Sequence, residues 1–572
     1  MLGAGVIAAA MLPAAANASV DDDPRVGLAP GAGETAGQAI SNLEKLSSQP
    51  RPAGFENFNS DLAFFDDYAV SGNYNGFNVY DVSDPAAPAL TTSVLCPGSQ
   101  NDVSVFGDLL FLSVETTAAK LDCTTGGVTS ENRFRGVRIF DISDLDAPEL
   151  VANVQTCRGS HTHTLVEDPD DAENLYVYVS GTAGVRSAAE LAGCENSLAD
   201  GANPSRWRID VIKVPIAAPE TSAVVGGPRI FADETTGRVD GLQNTPPAPT
   251  HPSGGSWSPA PVTDACHDIT AYPAIGLAAG ACEGNGILID ITDPANPERV
   301  DEVADPNFAY WHSATFNNDG TKVVFTDEWG GGGAARCLST DRPEWGANAI
   351  FDIVQTDDGP SMELASYYKL PAPQSTLENC VAHNGNLIPV PGRDIMVQAW
   401  YQGGASVFDF TDSANPTEIA FFDRGPLSAT NLQLAGFWSI YWYDGFIYGN
   451  EIGRGFDSFD VVESEHLNEV EIAAAKQVLT GESNAQAQEE LTWPATFTTV
   501  RAWQSAANRQ DELAPNVDAN LTKFIDRAER FSTGPQSRAA ANNLRATARQ
   551  LGDSDVEDGL EAALLELADE LG

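Results

Sequence analysis

A short stretch that recurs through the chain limits its possible folds more than any other feature. Its fullest copy, Gly286–Pro297, is a run of aliphatic residues that closes on an Asp/Thr/Pro turn, which is typical of a strand followed by a stop. The copies are anchored, at intervals of roughly 50 to 80 residues, at Asp81, Asp141, Lys213, Asp290, Asp352, Asp409 and Asp460. A strand-rich unit that repeats in this size range indicates a propeller, a solenoid or an array. Seven copies favour a seven-bladed β-propeller.

We therefore predict an all-β fold, a seven-bladed β-propeller of four-stranded blades, over residues 41–465. Blade seven lacks a fourth strand in its own repeat, and Ile40–Ser47 is expected to supply it. Such pairing of the two ends closes the ring and removes an exposed sheet edge. Over residues 466–572 apolar residues recur at helical spacing, as at Leu560 and Leu564, and they predict a small C-terminal α-helical module.

The first residues of the chain indicate export. Residues 1–18 are almost wholly small and apolar and end in Ala16-Asn17-Ala18, a small-x-small cleavage pattern that predicts a secretory signal peptide. The basic residues that normally open such a peptide are missing, which indicates a truncated start; the alternative is a disordered alanine-rich tail. Residues 19–40, rich in Asp, Gly and Ala, are expected to form a flexible leader.

The charge and the cysteine content of the chain indicate which cellular compartment and which classes of partner to expect. A net charge of −50 excludes nucleic acids and anionic membranes as partners, because both need basic surface. No stretch besides the first is long and apolar enough to span a bilayer. Eight cysteines without a CxxC pair indicate disulfides rather than a zinc finger. We expect a monomer, secreted or held at the cell surface, whose partner is a small ligand or an extracellular protein.

The positions of the cysteines predict how they pair. Cys266 precedes the inner strand of blade four and Cys282 follows its second strand, so an antiparallel hairpin brings the two together. The same argument, applied to the hairpins of blades two and three and to the junction of blades five and six, predicts the pairs Cys96–Cys123, Cys157–Cys194, Cys266–Cys282 and Cys337–Cys380. All eight then lie on one face of the disc.

Histidines cluster at one place in the repeat. Only seven occur, and His163, His267, His312 and His383 each open the inner strand of blades three to six. Inner strands line the central channel, so these side chains are expected at one channel mouth. His161 lies on the same strand face as His163, which makes at best a weak chelate.

Second strands run antiparallel to the inner strands and end on the same face. Their ends are expected to bring further binding residues to the channel mouth: Glu115, Glu283, Asp327, Glu328, Trp329, Trp400, Tyr401 and Glu451. Imidazoles and carboxylates that converge in this way could hold a transition metal such as copper, zinc or iron. The alternative is that the histidines are structural and bond the backbone of the next blade, as a repeated device.

The repeats resemble those of the LVIVD-repeat family of secreted bacterial β-propellers, which is named for the strand seen here as Gly286–Asp290. The inner strands around Asn59–Phe64, Gly98–Val105 and Gly159–Leu165 are similar too, and the likeness extends over residues 40–462. It implies the propeller fold but no activity, because a propeller hosts many functions. The leading hypothesis is a scaffold that binds a ligand or a protein at the channel mouth. The alternative is a metal-dependent oxidoreductase or hydrolase that uses the channel histidines; no catalytic residue is assigned.

Overall fold

The computed structural model describes residues 22–198, 203–233, 235–240, 242, 260, 262–357, 359–533, 536–551 and 554–572. The predicted signal peptide at residues 1–18 lies outside the described residues. Among the described helices, none is long and apolar enough to cross a membrane.

Seven antiparallel blades of four strands confirm the predicted propeller. Two strands, β1 (Gln38–Ser41) and β2 (Leu43–Pro50), precede the first repeat. Blade one comprises β3 (Asn59–Phe65), β4 (Tyr68–Asn73), β5 (Gly76–Asp81) and β6 (Ala89–Leu95). Blade two comprises β7 (Val103–Phe106), β8 (Leu109–Val114), β9 (Gly136–Asp141) and β10 (Glu149–Gln155). Blades three and four comprise β11 (Thr162–Glu167), β12 (Asn174–Ser180), β13 (Asp210–Pro215), β14 (Ala223–Gly226), and β15 (Asp268–Tyr272), β16 (Leu277–Cys282), β17 (Asn285–Asp290), β18 (Glu298–Val303).

The other three blades complete the ring. Blade five comprises β19 (Trp311–Phe316), β20 (Lys322–Asp327), β21 (Asn348–Thr356) and β22 (Gly359–Tyr368). Blade six comprises β23 (Gly385–Ile388), β24 (Ile395–Ala399), β25 (Ala405–Asp409) and β26 (Thr417–Arg424), and blade seven contributes β27 (Phe437–Tyr443), β28 (Phe446–Glu451) and β29 (Gly455–Val461).

The anchor aspartates end their strands by a shared local device. Asp81 accepts hydrogen bonds from the backbone N–H and the hydroxyl of Ser83, and Asp290 accepts the same pair from Thr292. These side-chain bonds fold the backbone into a turn directly after the strand. The Asp-x-Ser/Thr pattern is therefore a local stop signal in four of the seven blades, at Asp81, Asp141, Asp290 and Asp409.

The ends of the propeller pair as predicted, with a small shift. Strand β2 pairs antiparallel with β29, from Leu43 opposite Val461 to Pro50 opposite Gly455, and supplies the fourth strand of blade seven. Ile40 does not take part, because β1 instead adds a fifth strand to blade six, with Ile40 opposite Phe422. Asn42, at a φ of 55°, makes the turn between β1 and β2. The expected leader at residues 19–40 thus ends in an ordered strand.

The C-terminal region is helical only in part. The helices are α1 (Glu469–Ala475), α2 (Phe497–Arg509), α3 (Pro515–Arg530), α4 (Ser537–Ala548) and α5 (Asp555–Glu570). The last four share a core that includes Leu521, Leu544 and Leu560. Trp503 of α2 lies against Gly392 of blade six, and the indole N–H of Trp493 donates to the carbonyl of Pro389.

Residues 482–491, which we call the plug, differ from the predicted helical module. They include β30 (Glu482–Asn484), which pairs with the inner strand of blade one. The side-chain amide of Asn484 donates to and accepts from the backbone of Val105, and that of Gln488 does the same with Phe316. The plug thus satisfies free backbone groups of several inner strands, at the channel end opposite their first residues.

Candidate functional site

Three histidines occupy one equivalent position at the start of the inner strands. The backbone N–H groups of His161, His267 and His383 donate to the carbonyls of Ser180, Ala281 and Ala399 on the second strand of the same blade, at 2.7, 2.8 and 3.0 Å. His312 lies in the corresponding region of blade five, on β19. We call these four histidines together with Glu328 the histidine cluster.

The four imidazoles form an arc that runs from the solvent into the protein. Ring centroids are 4.3 Å apart between His161 and His267, 3.9 Å between His267 and His312, and 4.2 Å between His312 and His383. The side chain of His161 is 15% exposed, whereas that of His383 is 1% exposed. The cluster therefore has one accessible end, formed by His161, and one closed end, formed by His383.

Hydrogen bonds orient the two outer members of the arc. The Nδ1 of His161 lies 2.8 Å from a carboxylate oxygen of Glu115, whose other oxygen accepts from the backbone N–H groups of Thr182 and Ala183. Burial alone would raise the pKa of Glu115, but His161 and the Thr182 donors bring that pKa down to about 2. The ionised Glu115 thus holds a proton on the Nδ1 of His161 and leaves Nε2 facing the cluster.

His383 is oriented in the same way by a backbone carbonyl. Its Nδ1 donates to the carbonyl oxygen of Trp438 at 2.5 Å, so its Nε2 carries the lone pair. That Nε2 lies 3.9 Å from one oxygen of Glu328, and the Nε2 of His312 lies 3.9 Å from the other oxygen. The Tyr401 hydroxyl donates to Glu328 at 2.6 Å and fixes the carboxylate between the two rings.

The centre of the cluster brings potential ligand atoms close together. One atom each of His267, His312 and Glu328 lie within 4.8 Å of one another. The Nε2 atoms of His161 and His267 are 2.7 Å apart. Gly332, at a φ of 68°, backs this arrangement, since a Cβ there would come within 2.2 Å of the Tyr401 hydroxyl oxygen.

Burial sets the ionisation of the inner histidines and of Glu328, whereas at His161 the charge of Glu115 outweighs burial and raises the pKa. Burial lowers the pKa of His383 to about 3 and that of His312 well below the usual range, and neighbouring histidines lower the pKa of His312 further. Burial also raises the pKa of Glu328 to about 7. In the described part of the structure, His267 Nδ1, His312 Nδ1 and His383 Nε2 are buried without a hydrogen-bond partner. Neutral imidazoles with free lone pairs are the form that binds metals.

His163, predicted as a member of this group, lies apart from it. It is two residues further along β11 than His161, which is about 6.6 Å deeper at 3.3 Å per residue. Its Nδ1 lies 2.7 Å from the hydroxyl of Ser113 in blade two, and its backbone N–H donates to Asp102. His161 takes the place assigned to His163. The sequence offers two histidines here, and only the pairing register decides between them.

Several predicted mouth residues have other contacts. Asp327 accepts from the backbone N–H groups of Ala309, Tyr310 and Gly346, and Glu451 is paired with Arg454. Glu283 accepts from the backbone N–H of Asp264. Trp329 packs against Trp345 with centroids 4.6 Å apart, and Trp400 is fully buried between blades beside Tyr368. Of the eight predicted residues, Glu115, Glu328 and Tyr401 contact the histidine cluster.

Sequence analysis missed three aromatic residues near the cluster. The Tyr310 ring lies 5.7 Å from His267, and the Trp438 ring lies 5.4 Å from His383. Tyr74 contacts Trp438 edge-on at 6.2 Å. Tyr310 directly precedes an inner strand, Trp438 lies near the start of one, and Tyr74 directly follows a second strand. Their positions in the repeat could therefore have predicted them near the mouth.

Four disulfides join the loops on this face. They are Cys96–Cys123, Cys157–Cys194, Cys266–Cys282 and Cys337–Cys380, which are the four expected pairs. The last links the loop after β20 in blade five to the segment before β23 in blade six. Disulfides are typical of extracytoplasmic proteins, and they tie down long loops that flank the cluster.

Comparison with known proteins finds one family match and distant structural likenesses. Residues 60–96 match the model of the LVIVD repeat. No curated protein matches the sequence significantly. The periplasmic gluconolactonase of Pseudomonas aeruginosa is 12% identical, with 71% of this chain and 96% of that chain covered and a TM-score of 0.40. A putative 6-phosphogluconolactonase from Bacteroides uniformis is 8% identical over 66% and 84%, with a TM-score of 0.39.

Kuenenia stuttgartiensis hydrazine synthase is 12% identical, with 67% of this chain and 89% of that chain covered and a TM-score of 0.38. At such identities and TM-scores, none of these structures bears on what this chain binds. The repeat match at residues 60–96 is carried by blade one, whose strands recur in six further blades. The chain thus combines a match to the LVIVD repeat over residues 60–96 with a seven-bladed β-propeller fold.

Proposed function

We propose that the histidine cluster binds a transition-metal ion, and that the protein presents this metal to a small ligand at the channel mouth. One observation supports the proposal above all others. The Nε2 atoms of His312 and His383 each lie 3.9 Å from an oxygen of Glu328, and the Nε2 of His161 lies 2.7 Å from that of His267. The Nδ1 atoms of His161 and His383 are held by acceptors outside the cluster.

A hydrogen-bonded Nδ1 is the usual second contact of a metal-bound histidine. The bonds from His161 to Glu115 and from His383 to the Trp438 carbonyl fix the tautomer and the ring orientation before any metal arrives. A purely structural histidine would need no free, buried nitrogen, because an unpaired polar atom costs free energy. Imidazole ligands with one carboxylate suit copper, zinc or iron better than calcium or magnesium.

The two ends of the cluster have different access. His161 and Glu115 keep some solvent contact, and the plug contacts the inner strands at the far end of the channel. A small ligand would therefore approach from the mouth and meet the metal beside the Tyr310 and Trp438 rings. Both the oxidoreductase and the hydrolase hypotheses require a bound metal. We also propose that the protein is exported and acts outside the cell.

Metal content tests the proposal directly. We expect full-length protein, loaded with copper, zinc or iron and then dialysed, to retain one ion per chain. The double variant His267→Ala/His312→Ala should lose that ion. His466→Ala, a half-exposed histidine outside the cluster, is the matched control and should retain it.

Failure of the wild-type chain to retain any of the three metals would overturn the metal site. Binding would then rest on the scaffold alone. The specific observation that favours this second candidate is the aromatic lining, since Tyr74, Tyr310 and Trp438 lie beside the mouth. A small ligand would then protect metal-free protein against thermal unfolding, and Tyr310→Ala would weaken that protection.

A further inference from the structure

A second polar layer lies one residue below the histidines. In each of the seven blades one polar residue near the start of the inner strand is buried, with exposure of 6% or less: Asp61, Asp102, Thr162, Asp268, Ser313, Asn384 and Ser439. We call these residues the polar ring. Three of its seven members are aspartates, contributed by blades one, two and four.

Two of the three carboxyls contact the plug, and the third lies beside one of them. Gln486, which is 2% exposed, donates its side-chain N–H to Asp61 at 2.9 Å and to Asp268 at 3.4 Å. Asp102 lies within hydrogen-bonding reach of Asp61. One amide group from the plug thus connects carboxyls from two opposite sides of the channel.

In the part of the chain that the structure describes, no arginine or lysine forms an ion pair with these acids. The neighbour of Asp102 is the buried, neutral His163. Burial of several carboxylates without a cation is costly, and proteins usually avoid it by pairing or by metal coordination.

Two buried amide oxygens in the same layer have no partner. The Oε1 of Gln486 and the Oδ1 of Asn384 both lack a hydrogen bond within the described structure. Asn384 is near Asp61, since its side chain hydrogen-bonds Tyr441, whose hydroxyl donates to Asp61 at 2.7 Å. Unsatisfied buried oxygens are rare and indicate a missing partner that donates a proton or carries positive charge.

We infer that the polar ring binds a hard cation of the Ca²⁺ class on the propeller axis, below the histidine cluster. Three carboxyls and two amide oxygens approach the six to eight oxygen ligands that Ca²⁺ takes. Burial raises the pKa of Asp102 well above its usual range and that of Asp268 to about 8, so binding of the ion would release protons from these carboxyls. A half-turn of the Gln486 amide would direct its Oε1 to the ion, because amide O and N exchange places by such a rotation. The ion would tie blades one, two and four to the plug, whether or not the histidines bind a metal.

Calcium binding to the full chain is the primary test. Protein stripped with a calcium chelator is titrated with Ca²⁺ by calorimetry, with Mg²⁺ in parallel and with thermal unfolding as a second measurement. We expect one tight Ca²⁺ per chain, weaker Mg²⁺ binding, and a melting temperature that rises with Ca²⁺. The same result in His267→Ala/His312→Ala would separate this site from the transition-metal site.

Two variants of the ring and its plug, with one control variant elsewhere, test whether the ion binds at the polar ring. Asp102→Asn should weaken Ca²⁺ binding about tenfold or more, because affinity follows the number of ligand charges, and Gln486→Glu should tighten it. Asp423→Asn removes an equally buried carboxylate in blade six and should leave the affinity unchanged. Absence of a tight site in the wild-type chain, or equal affinity in all variants, would overturn the inference and assign shared protons to the ring instead.

Discussion

The two ends of the propeller channel treat their buried polar groups in opposite ways. At the mouth, the histidine cluster leaves nitrogen atoms without hydrogen bonds although they are buried. At the other end, the amides of Asn484 and Gln488 satisfy the backbone of Val105 and Phe316 with two bonds each. A buried polar group without a hydrogen bond lowers the free energy of unfolding, whereas a hydrogen-bonded one raises it. The difference suggests that the mouth binds a ligand and that the plug contributes stability.

A segment of the protein, rather than solvent, fills the far end of the channel because the inner strands need hydrogen-bond partners there. The inner strand of a blade has a free edge that faces the channel, and its N–H and C=O groups need partners. At the mouth these strands begin, so side chains replace the missing partner strand. At the far end the plug crosses the channel and supplies peptide and amide groups. The backbone N–H of Ala271, for example, donates to the carbonyl of Gln486, and the carbonyl of Ala271 accepts from the N–H of Gln488.

The largest effect is expected from removing the plug. A chain that ends at Thr480 keeps α1 but loses residues 482–491 together with α2 to α5, whereas a chain that ends at Trp493 keeps both α1 and the plug and loses only α2 to α5. Eight or more hydrogen bonds at about 1 kcal/mol each predict that the shorter chain is less stable by on the order of 5 kcal/mol. Chemical denaturation of the two truncated chains measures the difference.

Equal stability of the two truncated chains would contradict the role assigned to the plug. The longer chain is the matched control, because it also lacks the contact between Trp503 and Gly392 and the core of the helical module. Any loss that comes from those helices is therefore common to both.

The repeat and its consequences could be predicted from sequence because they are local. Each Asp-x-Ser/Thr stop is formed within three residues, and the order of strands along the chain gave the blades, the ring closure and the four disulfides. The plug could not be predicted, since Asn484, Gln486 and Gln488 bond to strands far away in sequence. Their short polar pattern is typical of a loop.

The site was predicted only as far as the strand ends. The sequence placed the histidines at the starts of inner strands, but it pointed to His163 where His161 takes the position. A shift of two residues keeps the same strand face and changes only the depth, which a sequence pattern of period two does not distinguish. Trp400 and Glu451 also end second strands, but Trp400 is buried between blades and Glu451 pairs with Arg454.

A smaller effect is expected at the mouth, from Glu115→Gln. Glutamine keeps an oxygen for the N–H groups of Thr182 and Ala183, but it presents an N–H to the Nδ1 of His161. That contact requires an unprotonated Nδ1, so the proton moves to Nε2 and the lone pair no longer faces the cluster. Loss of such a second contact predicts metal affinity about 10- to 100-fold weaker, measured by competition with a chelator.

Glu283→Gln is the control for this change, since Glu283 lies near the mouth but bonds the backbone of Asp264 instead. We expect it to leave metal affinity unchanged. Neither variant should alter the stability of metal-free protein by more than about 1 kcal/mol. A large loss of stability in Glu115→Gln would mean that the mouth is structural after all, and the contrast between the two ends would disappear.

The smallest effect concerns pH at the plug end. Partial burial, together with Glu167 and Glu482, raises the pKa of Glu489 to about 7. The folded chain therefore binds a proton more tightly than the unfolded chain, whose glutamate titrates near its usual 4.5. This contribution to stability is complete at low pH and is lost as the pH rises through about 7. The melting temperature of Glu489→Gln should exceed that of the wild type by a difference that grows between pH 5 and pH 8. The difference should be small because the side chain keeps solvent contact. Glu465→Gln, at an exposed position, is the control and should show a constant difference; a difference for Glu489→Gln that is equally constant would remove this acid from the balance at the plug.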